Sequence, residues 1–167
     1  WNCYWFDINQ TLIKNAMSGL LDKSRTVNGV PTSLAEIGYN NGGVDDGWQH
    51  CDAYEHLFHN ASAPNGWPVL NATEFPDLPS LIAWAHNNSL GVNWYFNNCK
   101  CSEHEAYPAN EANDVAWMRM MDLDGVKLDG CGSSMNTSNW NKYINETSNK
   151  AILTEDGGND VPPSTRN

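Results

Sequence analysis

The chain has 167 residues, with 20 Asp and Glu against 9 Lys and Arg, and a formal net charge of −11. A surface of that charge repels polyanions, so we expect neither nucleic-acid binding nor attraction to an acidic membrane. Hydrophobic residues make up 40% of the chain and charged residues 17%, which is typical of a domain that buries a core. No stretch approaches the roughly 18 to 20 apolar residues of a spanning helix, so we expect no membrane insertion.

Short apolar segments alternate with amphipathic ones along the chain. Apolar residues spaced by three and four predict four helices, at about 10–21, 79–87, 111–121 and 138–149. Short runs bounded by turn residues predict five strands, at 4–7, 39–46, 90–97, 125–129 and 151–156. Segments 51–75 and 97–110 read as long loops rich in Asn, Pro and aromatic residues.

Strands alternating with helices are typical of a parallel sheet with crossover helices. A doubly wound open sheet and a closed (β/α)8 barrel both fit this order. Four of the five strands end on polar side chains, as expected where strand ends converge on the mouth of a barrel. No Gly-x-Gly-x-x-Gly follows the first strand, which weighs against a dinucleotide-binding sheet. We therefore predict a (β/α)8 TIM barrel, of which residues 1–167 form the first five strands.

A full barrel takes about 250 residues, so five strands account for only part of one. An open half barrel would expose two sheet edges and its core. We expect the remainder of the barrel, or a partner chain, to complete the fold.

The stretch Gly125-Val-Lys-Leu-Asp-Gly-Cys131 combines a buried strand with two charges. Alternation places Lys127 and Asp129 on one face, toward the barrel interior, and Val126 and Leu128 on the other. A lysine beside a carboxylate favours its ionised form, which suits a nucleophile. A structural buried ion pair explains the same residues equally well.

The second strand ends in Val44-Asp-Asp-Gly-Trp-Gln49. Paired carboxylates at Asp45 and Asp46 can accept hydrogen bonds from vicinal sugar hydroxyls, and the indole of Trp48 can cover the apolar face of a ring. An Asp-Gly turn with solvated acids is the alternative interpretation.

Together these motifs resemble glycoside hydrolase family 27, the retaining α-galactosidases and α-N-acetylgalactosaminidases, over nearly the whole chain. Trp1-Asn2-Cys3-Tyr4-Trp5 is similar to the family's Gly-Trp-Asn-Ser-Trp without its glycine. The segment Ile37 to Trp48 is similar to its Leu-Gly-Tyr…Asp-Asp-x-Trp, and Val126 to Cys131 to its Leu-Lys-Tyr/Phe-Asp-x-Cys nucleophile motif. Leu90 to Tyr95 is similar to the third-strand run that ends in tyrosine.

The resemblance implies a role for each matching residue. Asp129 would be the nucleophile that forms a covalent glycosyl-aspartate. The substrate-binding residues would be Trp5, Asp45, Asp46, Tyr95, Lys127, Glu155 and Arg166. Glu155 lies where the family selects between a 2-hydroxyl and an acetamido group. If Arg166 is the family's next-strand arginine, the general acid follows the last residue of the chain, so the chain itself contains no identifiable general acid.

Cysteine pairing and metal binding are linked questions. The resemblance implies a Cys101–Cys131 bridge, and Cys3–Cys51 is a plausible second one, although the family has a cysteine where this chain has Gly47. Cys99 is then left over. A zinc site built from Cys99, Cys101, His104 and Cys131 has looser spacing than strong zinc patterns, so we expect no metal and no cofactor. The histidines are expected on the surface or in loops, at positions 50, 56, 59, 86 and 104.

Six Asn-x-Ser/Thr sequons predict glycosylation, at Asn9, Asn60, Asn71, Asn87, Asn136 and Asn145. From 23 Asn and 20 Ser and Thr, chance would give about three. Together with five cysteines, they favour a secreted or extracellular protein, or a vacuolar or lysosomal one.

The predicted function is hydrolysis of terminal α-galactosyl residues on a glycan by a retaining exo-glycosidase. The alternative is a catalytically inactive secreted glycoprotein that uses the same fold as a glycan-binding or structural module.

Overall fold

The computed structural model describes most of the chain with interruptions, namely residues 7–51, 53, 58–59, 66–96, 101, 108–129, 136–147 and 153–156. Only the backbone is described for 108–109, 147 and 153–156. The helices are α1 (Gln10–Ser18), α2 (Leu78–Asn87), α3 (Pro108–Met120) and α4 (Thr137–Thr147), with a 3-10 helix at Ala35–Ile37. The strands are β1 (Thr26–Val27), β2 (Val30–Pro31), β3 (Asn41–Gly43), β4 (Gly91–Phe96), β5 (Gly125–Leu128) and β6 (Leu153–Asp156).

Four parallel strands form the main sheet in the order β3-β4-β5-β6. Each consecutive pair of these strands is joined through a helix, as a parallel crossover requires. The four helices and four of the five strands predicted from the sequence are therefore present. The predicted strand at 4–7 lies almost wholly outside the described residues.

The hairpin β1–β2 is not among the predicted elements. Its turn is Asn28-Gly29, with φ of 52° and 80°, and both residues are in the left-handed region. Asn-Gly between two short β-prone segments is a strong hairpin signal, because this turn needs positive φ at both central residues. The signal was therefore present in the sequence.

Local sequence explains where α1 and α2 begin and how α1 reaches the sheet. The side chain of Asn9 accepts a hydrogen bond from Leu12 N at 2.9 Å, and Asp77 accepts one from Ser80 N at 3.1 Å, so each caps a helix. A Cβ atom added to Gly42 would lie 2.6 Å from Met17 Cγ, so glycine lets α1 approach β3 closely.

A cluster of aromatic side chains fills the core between the sheet and α3. Trp48 is fully buried, stacks on Trp117 at 5.3 Å between ring centroids, and meets Trp94 and Phe96 edge-on. The prediction that Trp48 covers a sugar ring is therefore wrong, because no part of its ring reaches solvent. Val126 and Leu128 are also buried in this core, as the alternation along β5 predicts.

Two buried acidic residues lie on α3, outside any predicted site. Asp114 Oδ1 is 2.9 Å from His59 Nε2, and these side chains are 0% and 2% exposed. His59 lies in a loop, which agrees with the prediction of a surface or loop histidine, but its side chain is buried against Asp114 of α3 and not at the surface. Glu111 is 1% exposed, and burial raises its pKa, although a hydrogen bond with Asn139 opposes the shift.

The raised pKa of Glu111 makes stability depend on pH. Its contribution to folding is fully present below the ordinary value of 4.5 and is lost as pH rises through the folded-state pKa. We expect Glu111→Gln to raise the free energy of unfolding at pH 7 to 8 by on the order of 1 kcal/mol, since Gln avoids a buried charge. Near pH 4 the two proteins should be equally stable.

Urea unfolding of the full-length protein between about pH 4 and pH 8 measures the difference in the free energy of unfolding. The control is Glu146→Gln, because Glu146 is exposed. A difference that does not change with pH would contradict the assignment.

Candidate active site at the carboxyl ends of the strands

Two charged side chains meet at the carboxyl edge of the sheet. Lys127 of β5 donates a hydrogen bond to Asp45 Oδ2, which follows β3, at 2.8 Å. Their side chains are 18% and 26% exposed, so the ion pair is partly shielded from water. The lysine reaches across β4, and its Nζ lies 5.3 Å from the ring centroid of Tyr95. The pair therefore links the ends of three neighbouring strands.

Asp129 belongs to the same group of residues. The hydroxyl of Tyr95 donates a hydrogen bond to Asp129 Oδ2 at 3.2 Å, and Asp129 is half-buried at the end of β5. The backbone N–H of Asp129 still reaches Phe96 O of β4, at 3.4 Å. The carboxylate is thus held by a strand end on one side and by a tyrosine on the other.

Asp46 has a different environment from Asp45. It is 3% exposed, and its Oδ1 accepts a hydrogen bond from Gly47 N at 2.8 Å. Gly47 has φ of 111°, a conformation that L side chains rarely adopt, so glycine permits this turn. The turn places the side chain of Asp45 next to Lys127, whereas the side chain of Asp46 is buried.

The register of the sheet relates three of the predicted site residues. Glu155 lies opposite Lys127 in the β5–β6 register, and Tyr95 lies opposite Lys127 in the β4–β5 register. Residues 95, 127 and 155 therefore form one row across three strands. Trp5 and Arg166 lie outside the described residues.

The disulfide differs from both predicted pairs. Cys51 is bonded to Cys101, with Cα atoms 4.9 Å apart. A sulfur atom forms one such bond, so the predicted Cys101–Cys131 and Cys3–Cys51 pairs are wrong. The physical reason is that β3 and β4 are neighbours, so the loops that follow them begin side by side. Cys3, Cys99 and Cys131 lie outside the described residues.

The zinc alternative loses one of its ligands, because Cys101 has no free thiolate to offer a metal. Within the described ranges, no group of three or more His, Cys, Asp or Glu could hold a metal ion. In the same part of the chain, no helix has the length and apolarity needed to cross a bilayer.

A further histidine, outside the predicted site, lies at the opposite edge of the sheet. His86 Nε2 is 2.8 Å from Asp124 Oδ2, and that same oxygen accepts a hydrogen bond from Val92 N. Asp124 precedes β5 and His86 is near the end of α2, so the contact ties a helix to two strand starts. We interpret it as structural.

Comparison with known proteins identifies proteins that are similar to this chain in sequence and in fold. No protein-family model matches the sequence. A probable α-galactosidase A of Aspergillus fumigatus is 28% identical over 134 residues, which are 78% of this chain and 22% of that protein. The α-galactosidase of Saccharomyces cerevisiae, solved with raffinose, aligns with a TM-score of 0.69 at 16% identity, over 93% of this chain and 33% of that one. A family 27 β-L-arabinopyranosidase of Geobacillus stearothermophilus aligns with a TM-score of 0.67 at 14% identity, over 98% of this chain and 48% of that one.

These comparisons confirm the resemblance to glycoside hydrolase family 27 that the motifs indicate. They also show that the chain has the fold of part of a (β/α)8 barrel. The chain spans 22% of the length of the curated relative and less than half of either solved structure. The two solved structures share this fold, but one is named as an α-galactosidase and the other as a β-L-arabinopyranosidase.

Proposed function

We propose that this chain, which resembles family 27 glycoside hydrolases over most of its length, forms the N-terminal part of the catalytic barrel of a retaining exo-glycosidase that removes terminal α-galactosyl residues. Residues 1–167 would supply the first five barrel strands, with β3 to β6 as the second to fifth and residues 4–7 in the first. The rest of the barrel would close the sheet and complete the pocket.

The arrangement around Asp129 is the observation that carries this proposal. Active-site residues of such barrels lie at the carboxyl ends of the strands, where Asp129, Tyr95, Lys127 and Asp45 meet. The contacts keep a carboxylate, an ammonium and a hydroxyl together at one edge. This combination of groups at one edge favours an enzyme over the alternative of an inactive structural module, which has no need of it.

The proposed reaction has two steps. Asp129 attacks the anomeric carbon, the bond to the aglycone oxygen breaks, and a covalent glycosyl-aspartate forms. Water then hydrolyses that ester and regenerates the carboxylate. Both steps need a second carboxyl group about 5 to 5.5 Å from the first, as acid and then as base. We assign that group to a part of the barrel outside the described residues.

The sugar-binding residues follow from position and resemblance. Lys127 can donate to sugar hydroxyls and Asp45 can accept from them, and we propose the same accepting role for Asp46. Glu155 lies opposite Lys127 in the register of the two strands. By resemblance to the family, we propose that it selects at the 2-position and favours galactose over its N-acetyl form. Trp5 and Arg166 would line the pocket. No metal or organic cofactor enters this scheme.

The sequons and the cysteines bear on localisation and modification. We propose a secreted or vacuolar protein that carries N-glycans at some of its sequons. Asn87 and Asn145 are exposed near the ends of α2 and α4, whereas the side chains of Asn9 and Asn136 cap helices and Asn71 stabilises a turn. Asn60 lies outside the described residues.

The test of this function is the configuration of the first product. With p-nitrophenyl α-galactoside, the full-length protein should release α-galactose, which proton NMR detects before mutarotation. Turnover should be at least about tenfold lower with the α-N-acetylgalactosaminide and with the β-L-arabinopyranoside, which lacks the hydroxymethyl group of galactose. Initial release of the β anomer would rule out retention. Absence of turnover with all three substrates would rule out the proposed glycosidase activity.

A further inference from the structure

The inference concerns Trp48 and rests on the proposed function. The ladder between β3 and β4 extends one residue past β3, where Val44 N donates to Asn93 O at 3.0 Å. The two-residue period of a ladder would next pair Asp46 N with Tyr95 O. Asp46 N donates instead to Asp45 Oδ1, at 2.8 Å.

The indole of Trp48 takes over the vacated position. Its Nε1–H donates to Tyr95 O at 2.9 Å, across 47 residues of sequence. The backbone can therefore leave the ladder at Asp45 and turn at Gly47 while β4 keeps a hydrogen bond at Tyr95. This exchange frees Asp45 to reach Lys127 without leaving a buried carbonyl unpaired.

Trp48 is a rigid donor. Its side chain is 0% exposed, stacks on Trp117 with an angle of 12° between rings, and is bounded edge-on by Phe58, Trp94 and Phe96. A side chain packed on several sides keeps its rotamer, and so fixes the position of the atom that it binds.

Tyr95 transmits that position to the site. Its hydroxyl donates to Asp129, and its ring lies under the ammonium of Lys127. A shift of the Tyr95 backbone would therefore move the partner of the nucleophile and the surface on which the lysine rests.

We propose that Trp48 is a positioning residue of the active site, which acts through the backbone of Tyr95 to hold Asp129 and Lys127 in register. Trp48 does not touch the sugar in this scheme.

Trp94 provides a matched control. It is also 0% exposed and belongs to the same cluster, but its indole N–H has no hydrogen-bond partner among the described residues. Trp→Phe at either position removes similar volume from the same core. Only the change at position 48 removes a hydrogen bond to β4.

The experiment compares Trp48→Phe with Trp94→Phe in the full-length protein, with an aryl α-galactoside. Trp48→Phe should lower kcat by about tenfold or more with KM changed less than about threefold, because misplacement of reacting groups acts mainly on the chemical step. Trp94→Phe should keep kcat within about twofold, while both variants lose similar thermal stability. Equal kcat values in the two variants would overturn the role of Trp48.

Two further measurements apply if Trp48→Phe does not fold or if the wild-type protein hydrolyses no galactoside. If Trp48→Phe does not fold, benzothienylalanine at position 48 preserves the ring shape without the N–H, and wild-type kcat in that protein would overturn the inference. Crystal structures supply a readout that does not depend on turnover. The distance from Tyr95 hydroxyl to Asp129 Oδ2 should lengthen in Trp48→Phe and be kept in Trp94→Phe. An unchanged distance in Trp48→Phe would refute the inference even if the wild-type protein hydrolyses no galactoside.

Discussion

Replacing Asp129 with alanine in the full-length protein should lower kcat for an aryl α-galactoside by on the order of 10⁴-fold or more, because no other group would form the covalent intermediate. Added azide should restore part of the turnover by occupying the space of the missing carboxylate. It would attack the anomeric carbon as the bond to the aryl oxygen breaks, and the product should be the β-galactosyl azide. Steady-state kinetics and NMR of the product measure both effects.

The control for this experiment is another aspartate. Asp22 is exposed in the segment between α1 and β1, and its carboxylate accepts a hydrogen bond from the hydroxyl of Ser24. Asp22→Ala should keep kcat within about twofold of the wild-type value. Substantial activity in Asp129→Ala, or an azide product of α configuration, would show that Asp129 is not the nucleophile.

The sequence predicts the positions of the site residues better than it predicts their partners. Alternation along β5 correctly places Lys127 and Asp129 on a different face from Val126 and Leu128. The sequence suggests Lys127 and Asp129 as the ion pair, whereas the hydrogen bond from Lys127 goes to Asp45. Residues two apart on a strand are separated by about 6.6 Å, so Asp129 is not in immediate contact with Lys127. The long side chain of Lys127 extends across β4 and binds Asp45, which follows β3.

Contacts that depend on loop paths could not be predicted from the sequence. The Cys51–Cys101 bond follows from two loops that begin on adjacent strands, and no spacing rule distinguishes it from the other possible pairings. The burial of His59 likewise depends on where the loop after β3 packs. One signal was available, because Glu111 and Asp114 are on the same helical face as Val115 and Met118, and acidic residues on a buried face need partners.

The pair formed by His59 and Asp114 should have the largest effect on stability. We expect Asp114→Ala to lower the free energy of unfolding by about 2 to 3 kcal/mol, because it removes a hydrogen-bond partner of a buried imidazole at His59. Asp114→Asn keeps an acceptor oxygen at the same place and should cost less than half as much. Urea unfolding of the full-length protein at pH 7 measures these differences.

Two comparisons separate the buried pair from a general effect of losing an aspartate. Asp77 caps α2 through Ser80 N, and Asp77→Ala should cost only about 1 kcal/mol, as for other helix caps. Replacing both His59 and Asp114 with leucine should recover most of the loss, since no polar group of the pair would then remain buried without a partner. The loop after β3 would still be held to α3 by apolar packing, next to the turn that presents Asp45. A loss below about 1 kcal/mol in Asp114→Ala would mean that this contact contributes little to holding that loop on the barrel.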